Sequence, residues 1–145
     1  MNAFHATRIV RFGHCDPAGI IFYPRYFDLI HEVKEDWFRE ALDWSFAKSI
    51  GAMKKGFPIV RLASEFHAPS RLGEELAIVL RVPNLGRSSI AIDYEVSCGG
   101  ERRADMHTVV VQVDLTDGRS RPIADELRER IERFRGGDTG NRSHI

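Results

Sequence analysis

The stretch Pro24-Arg25-Tyr26-Phe27-Asp28-Leu29-Ile30-His31-Glu32-Val33-Lys34-Glu35-Asp36-Trp37-Phe38-Arg39-Glu40-Ala41-Leu42-Asp43-Trp44 decides the fold. Tyr26, Ile30, Val33, Trp37, Ala41 and Trp44 recur at spacings of three and four, which lines them along one face of a helix. Asp28, Glu32, Glu35, Arg39 and Asp43 fall on other faces. Pro24 suits the first turn, where its missing N–H costs nothing. A helix this long, carrying large aromatics, is expected at the centre of the core.

Outward from the helix the period changes. On the N-terminal side, Thr7 to Phe12 is short, β-branched and alternating, so it predicts a strand; turn chemistry follows at Gly13 and Asp16-Pro17-Ala18-Gly19. On the C-terminal side, after Gly51 and Gly56, the apolar residues alternate. Pro58 to His67 places Val60, Leu62, Ser64 and Phe66 on one side, and Glu75 to Val82 does so with Leu76, Ile78, Leu80 and Val82. Ser88 to Cys98 alternates Ile90, Ile92, Tyr94, Val96 and Cys98 against polar residues. Gly99-Gly100 predicts a hairpin turn into the run Arg103 to Leu115, and Asp117-Gly118 turns again. Leu127, Ile131 and Phe134 mark a short closing amphipathic helix. The order β-α-β-β-β-β-α, with tight turns between consecutive strands, predicts an α+β architecture of one antiparallel sheet of about five strands against one long helix. Without βαβ alternation, a doubly wound nucleotide-binding fold is not expected.

Composition limits the function. The 145 residues, 43% of them apolar, suit a single domain, and 21 basic side chains balance 21 acidic ones. A net charge of zero argues against nucleic-acid binding, which draws on Lys and Arg neutralising phosphates. No apolar run reaches the ~20 residues that span a bilayer. The first residues carry no apolar signal segment, and Cys15 and Cys98 cannot build a disulfide framework, so a cytoplasmic protein is expected. The domain is expected over residues 1–135, with the Gly-rich polar tail 136–145 disordered.

The densest cluster of unusual residues is Phe12-Gly13-His14-Cys15-Asp16-Pro17-Ala18-Gly19-Ile20-Ile21-Phe22-Tyr23-Pro24, between the first strand and the helix. Free amides and the positive end of the macrodipole lie at a helix start and favour an anion or a developing oxyanion. Asp16 is the single carboxylate of this segment; it suits a nucleophile or general base, and equally an Asx turn. Cys15 and His14 are chain neighbours that point apart if extended, so Cys15 reads as a small packed hydrophobe. His31 and Glu35 are four apart, but two ligands without further spacing make a surface pair rather than a metal site, and no metal is expected. His5, His67, His107 and His144 show no ligand spacing. Tyr23, Phe27 and His31 share a helix face, which makes His31 a candidate pocket residue. Arg87-Ser88-Ser89 and Arg119 with Arg121 are loop clusters able to hold phosphates or simply to be solvated.

The Phe12–Pro24 run resembles the signature of hotdog-fold acyl-CoA thioesterases of the 4-hydroxybenzoyl-CoA thioesterase family: an aromatic residue, then Asp16, Gly19, an apolar residue and Tyr23 leading into the central helix. Pro58-Ile59-Val60, Arg87-Ser88-Ser89 and Asp117-Gly118 with Arg121-Pro122-Ile123 look similar too. The resemblance implies a sheet wrapped around the helix as a hotdog, homodimers pairing edge to edge and assembling further as a dimer of dimers, and active sites between subunits. It implies Asp16 as the catalytic carboxylate, the Tyr23 backbone N–H as oxyanion donor, and Gly19, His31, Arg87, Ser88, Ser89 and Arg121 around the acyl-CoA. Some relatives place Tyr at Phe12 and His at Pro24; Pro24 matches the aromatic-acyl branch and implies an aroyl substrate. His31 stands where 4-hydroxybenzoyl specialists have a carboxylate, which leaves a benzoyl or a differently substituted aroyl group open. A thioester is already activated, so no cofactor is implied. Two rival readings are a hotdog module that binds acyl-CoA or acyl carrier protein without hydrolysis, and a hotdog hydratase or dehydratase, which pairs an Asp with a His.

Overall fold

The computed structural model describes residues 2–136. Strand β1 (Phe4–Ile9) is followed by a single 3-10 turn at Phe12–His14 and by the long helix α1 (Arg25–Leu42). A short helix α2 (Phe46–Gly51) and a two-residue strand β2 (Lys55–Gly56) lead to β3 (Ile59–Phe66), β4 (Glu75–Leu85), β5 (Ser89–Cys98) and β6 (Glu101–Val111). The two-residue β7 (Val113–Asp114) pairs with β2, and α3 (Asp125–Gly136) closes the described chain. The main sheet is antiparallel with strand order β1-β4-β5-β6-β3, so β1 and β3 are its edges. Helix against sheet is the hotdog arrangement. Of the expected tail, only Gly136 falls within the described residues.

Alternation builds the core. Leu76, Ile78, Leu80 and Val82 of β4 and Ile90, Ile92, Tyr94 and Val96 of β5 all turn inward and are buried. Each large aliphatic side chain among them contributes roughly 1.5–3 kcal/mol by leaving water. Helix α1 answers with Tyr26, Leu29, Ile30, Val33, Trp37, Phe38 and Leu42. Trp37 and Phe38 meet edge to face at 5.1 Å, Phe38 reaches Phe57 at 5.0 Å, and Phe134 of α3 meets Trp37 at 5.4 Å. Gly99 and Gly100 both take positive φ (57° and 86°), as a two-residue hairpin whose twist matches its strands requires.

Four expectations are corrected. The first strand runs Phe4–Ile9 rather than Thr7–Phe12, because its partner β4 starts opposite Ile9, at Glu75; Phe12 therefore lies in the 3-10 turn, 84% exposed. Ala41 is exposed and Leu42 is buried instead, since the inward stripe continues four residues on from Phe38. The helix stops at Asp43, left-handed at φ 50°, and the short α2 that follows is capped by Ser45, whose Oγ accepts from the Lys48 amide (3.2 Å). The run from Arg103 to Leu115 breaks at buried Gln112, which donates to the Pro122 carbonyl (3.3 Å) and accepts from the Ala124 amide (3.1 Å).

Edge strand β3 differs from the inner strands. Leu62, Ser64 and Phe66 lie opposite the inward-facing Thr108, Met106 and Ala104, on the helix side of the sheet. A register shift between Ile59 and Arg61 displaces Val60 from that row. α1 does not cover them: Val60, Leu62 and Phe66 are exposed.

Candidate functional site

The segment from Cys15 to Ile21 folds back on itself. Cys15 bridges antiparallel to Ile21, the Asp16 amide donates to the Ile20 carbonyl (2.9 Å), and the Phe22 amide donates to the His14 carbonyl (2.8 Å). Gly19 sits at φ +78°, a conformation costly for an L side chain; its N–H donates to the Asp16 carbonyl and its own carbonyl accepts from the Leu72 amide. The result is a tight hairpin carrying Asp16 on the chain segment that enters α1. Gly19 supplies the shape, with both backbone groups engaged in the fold.

Asp16 is half-buried. Its Oδ1 accepts from the Ala18 amide at 2.9 Å, so the Asx turn is real. Oδ2 has no partner among the described residues, so the Asx turn leaves one carboxylate oxygen open. At the helix entrance, the amides of Arg25, Tyr26 and Phe27 donate back to the carbonyls of Phe22, Tyr23 and Pro24. The Tyr23 N–H finds no acceptor among the described residues and sits at the positive end of the 18-residue helix.

A polar brace holds this entrance. Tyr26 Oη lies 2.8 Å from Ser70 Oγ, and the Ile21 amide donates to the Ser70 carbonyl (2.8 Å). Arg103, buried, donates to Ser70 Oγ (3.3 Å), to the Pro69 carbonyl (3.0 Å) and to Glu74 through both Nη atoms (2.6 and 3.2 Å). The Arg103 guanidinium holds the Glu74 carboxyl at about 2, well below the usual range. A cavity of about 280 Å³ opens beside the brace, walled by Ile21, Tyr23, Tyr26, Phe66 and His67–Pro69; Asp16 is not among its walls.

His31 does line a pocket, but not Tyr23's. It borders an apolar cavity of about 450 Å³ with Lys34, Glu35, Phe46, Ile50 and Phe57 among its walls. Burial is the main cause that lowers the His31 pKa, with Lys34 adding to it, so the ring is uncharged at neutral pH. Lys34 was not singled out by the helical pattern. It stands four residues after Ile30 and three before Trp37, and that inward position is the signal that could have found it. Its side chain is 3% exposed, and burial pushes its pKa down to about 8.

The loop clusters come together. The Gln112 amide donates to the Ser88 carbonyl, the Arg121 amide to the Gln112 carbonyl, and the Ile123 amide to the Arg87 carbonyl. Arg121 pairs with Asp117 at 2.6 Å and borders a cavity of about 380 Å³ that also has Lys54 and Lys55 in its walls. Arg87 is exposed, and its guanidinium has no partner among the described residues. Cys15, a free thiol, packs against the core with its Sγ 3.5 Å from the Arg11 carbonyl. His14 accepts the Arg11 amide on Nδ1 (2.9 Å), which leaves only Nε2 available. His67 joins a cluster that sequence spacing could not reveal, because strand register assembles it: Glu65 pairs opposite Asp105, and His67 Nε2 lies 3.0 Å from Asp105. Arg102 also binds that Asp105 carboxylate, making a mixed-charge network.

A sequence profile described as the thioesterase-like superfamily matches residues 10–131. Among curated proteins, the chain is similar to a 1,4-dihydroxy-2-naphthoyl-CoA hydrolase of Synechococcus elongatus, at 22% identity over 91% of this chain and 97% of that one. Among solved structures it is similar to a gentisyl-coenzyme A thioesterase, with a TM-score of 0.76 and 28% identity over 87% of this chain and 98% of that one. It also resembles the 4-hydroxybenzoyl CoA thioesterase of a Pseudomonas species, with a TM-score of 0.81 and 21% identity over 90% of this chain and 99% of that one; at that identity the likeness concerns the fold.

Proposed function

The chain belongs to the thioesterase-like superfamily, and from that premise we propose that it is an acyl-CoA thioesterase acting on an aromatic acyl-CoA, with Asp16 and the entrance of α1 as its chemical centre. The observation that carries this reading is the hairpin that ties Asp16 to a helix entrance whose Tyr23 N–H is unused. The relatives named above act on aromatic acyl-CoA esters, which supports the aroyl class.

The chemistry follows from the geometry. The thioester carbonyl oxygen gains negative charge as its carbon is attacked, and the Tyr23 amide with the helix dipole behind it stabilises that charge. Asp16 Oδ2 delivers the attack, by adding to the carbonyl carbon or by taking a proton from the attacking water. The C–S bond breaks and CoA leaves as the thiol after taking up a proton; where water attacks, the aromatic acid is released directly, and where Asp16 attacks, water then hydrolyses the Asp16–acyl anhydride, which frees the acid and restores the carboxylate. Arg87, Ser88, Ser89 and Arg121 hold the CoA moiety, Arg87 supplying an uncommitted guanidinium.

The working unit is a homodimer. Val60 is 60% exposed on an edge strand, with Leu62 and Phe66 also uncovered, and Phe12 stands out beside the hairpin. An unpaired edge with an apolar face invites a second copy of the same strand.

Two rivals fit less well. A hydratase needs a histidine free to work on the acyl chain, whereas His14 is pinned through Nδ1 to the Arg11 amide. A binding module has no use for an unpaired carboxylate oxygen on a hairpin tied to the helix entrance. Incubation with benzoyl-, hydroxybenzoyl- and alkyl-CoA esters, followed by thiol release, separates the readings: release from aroyl esters first supports the enzyme, and tight binding without release overturns it.

A further inference from the structure

We propose that Lys34 is a specificity-determining residue for the acyl group: its ammonium, unpartnered in the wall of the apolar cavity on α1, receives an acidic oxygen borne by the aromatic ring of the substrate. This rests on the thioesterase reading and adds to it the kind of ring that the enzyme accepts.

Lysines on helices normally bury their methylenes and carry the ammonium out to water. Lys34 instead is 3% exposed and lines a cavity whose other walls include Phe46, Ile50, Phe57 and Pro58. No acceptor among the described residues lies within hydrogen-bonding or salt-bridge distance of it, and burial alone accounts for its lowered pKa. The ammonium is not among the fully enclosed unpartnered side-chain polar atoms of the described residues, which belong to Trp37, Trp44 and Ser64, so it faces the cavity, and a ligand that brings an acceptor there offsets the cost of its desolvation. With a pKa of about 8 the group is still mainly charged at neutral pH. The other titratable groups on the cavity are His31, uncharged there, and Glu35, which makes no ion pair with Lys34. The cavity, about 450 Å³, is within the roughly 300–1,000 Å³ of small-ligand pockets.

Position matters as much as chemistry. At about 1.5 Å per residue, His31 and Lys34 lie about 12 and 16 Å along the axis from Tyr23, farther than one aroyl group reaches. The proposal therefore includes the homodimer proposed above: the ring held at one copy's Tyr23 is placed in the cavity of the second copy, with Lys34 acting from across the interface.

The test uses non-hydrolysable thioethers, so that it does not depend on turnover. Phenacyl-CoA and its three hydroxyphenacyl isomers are titrated calorimetrically into wild type and Lys34→Met. One hydroxy isomer should bind wild type about 10- to 100-fold tighter than phenacyl-CoA, the scale of a charge-assisted hydrogen bond. Lys34→Met should abolish that preference, so that all four ligands bind alike, with an unchanged or higher Tm because a largely buried unpaired charge has gone. Equal affinities for all four ligands in wild type, or a preference that survives in Lys34→Met, overturns the proposal. Thiol release from benzoyl-CoA by wild type is measured alongside: release with no hydroxyl preference refutes the role of Lys34 alone, and neither release nor binding refutes the thioesterase reading with it.

Discussion

The Phe22 amide donates to the carbonyl of His14 at 2.8 Å, and this bond fastens the Asp16 hairpin to the segment that enters α1. Cys15 pairing with Ile21 and the Asp16 amide bonding Ile20 complete the closure. The carboxylate is thus carried on a short loop whose two ends are both fixed to the helix entrance. Positioning of this kind is worth several orders of magnitude when reacting groups must meet in one geometry.

Gly19 is where that loop is most easily disturbed. A Cβ there meets nothing within 4 Å, so Gly19→Ala carries only the strain of φ +78°. We expect a loss of roughly 1–2 kcal/mol in folding stability, seen as a lower Tm. Thioester turnover should fall further than that stability loss explains, because the carboxylate shifts with the turn. Unchanged Tm and turnover would show that the hairpin tolerates an L residue.

The Arg103–Glu74 pair makes the brace acid-sensitive. Glu74 titrates near 2 in the folded protein and in the ordinary carboxylate range, near 4.5, when unfolded. The depressed folded value means that the stabilisation is complete above about 4.5 and is lost as the pH falls from there towards 2. Glu74→Gln should therefore be less stable than wild type at pH 6, and the gap should close on acidification. Denaturant titrations of both proteins at several pH values read this directly; a gap that stays constant contradicts it.

Edge pairing through β3 predicts a change of mass. Leu62→Glu puts a charge on the exposed face of that edge. Sedimentation should show a homodimer for wild type and monomers for the variant, with thioesterase activity lost together with the dimer. A wild-type protein that sediments as a monomer would remove the interface from the account.

Arg87 and Arg121 should differ in their contribution to CoA binding. Arg121 is already paired with Asp117 at 2.6 Å, while Arg87 has no partner among the described residues. Arg87→Ala should raise KM for a CoA thioester by about 3- to 10-fold with kcat unchanged, the size of one charge-assisted contact. Arg121→Ala should have the smaller effect. The reverse order would place the nucleotide against Asp117's turn instead.

Periodicity made most of this fold legible. The inward residues of β4 and β5, the glycine hairpin and the central helix all followed from spacing, because each of these elements is covered on one face only. The 3-10 turn at Phe12–His14 and helix α2 escaped, since a single turn or a six-residue helix is too short for a period to develop; Ser45 as a cap was the available clue. Phe12 was misread because β-branched alternation marks a chain that is able to extend, whereas pairing with Glu75 decides where β1 ends. In the candidate site, the expectations for Asp16 and Tyr23 came from a dense local motif and its resemblance. The burial of Lys34 was not readable that way, because it depends on Phe46, Phe57 and Pro58, which the chain brings to it from elsewhere. The Glu65–His67–Asp105 cluster is likewise a product of strand register.

The most direct test of the account is the kinetics of Asp16→Asn with an aroyl-CoA ester, measured as kcat from thiol release and as affinity for the same ester by calorimetry. The substitution keeps the oxygen that accepts from the Ala18 amide and removes the negative charge. The account predicts a fall in kcat of about 10²- to 10⁴-fold, the usual range for loss of an acid–base group, with affinity little changed. Turnover by Asp16→Asn equal to wild type would contradict it.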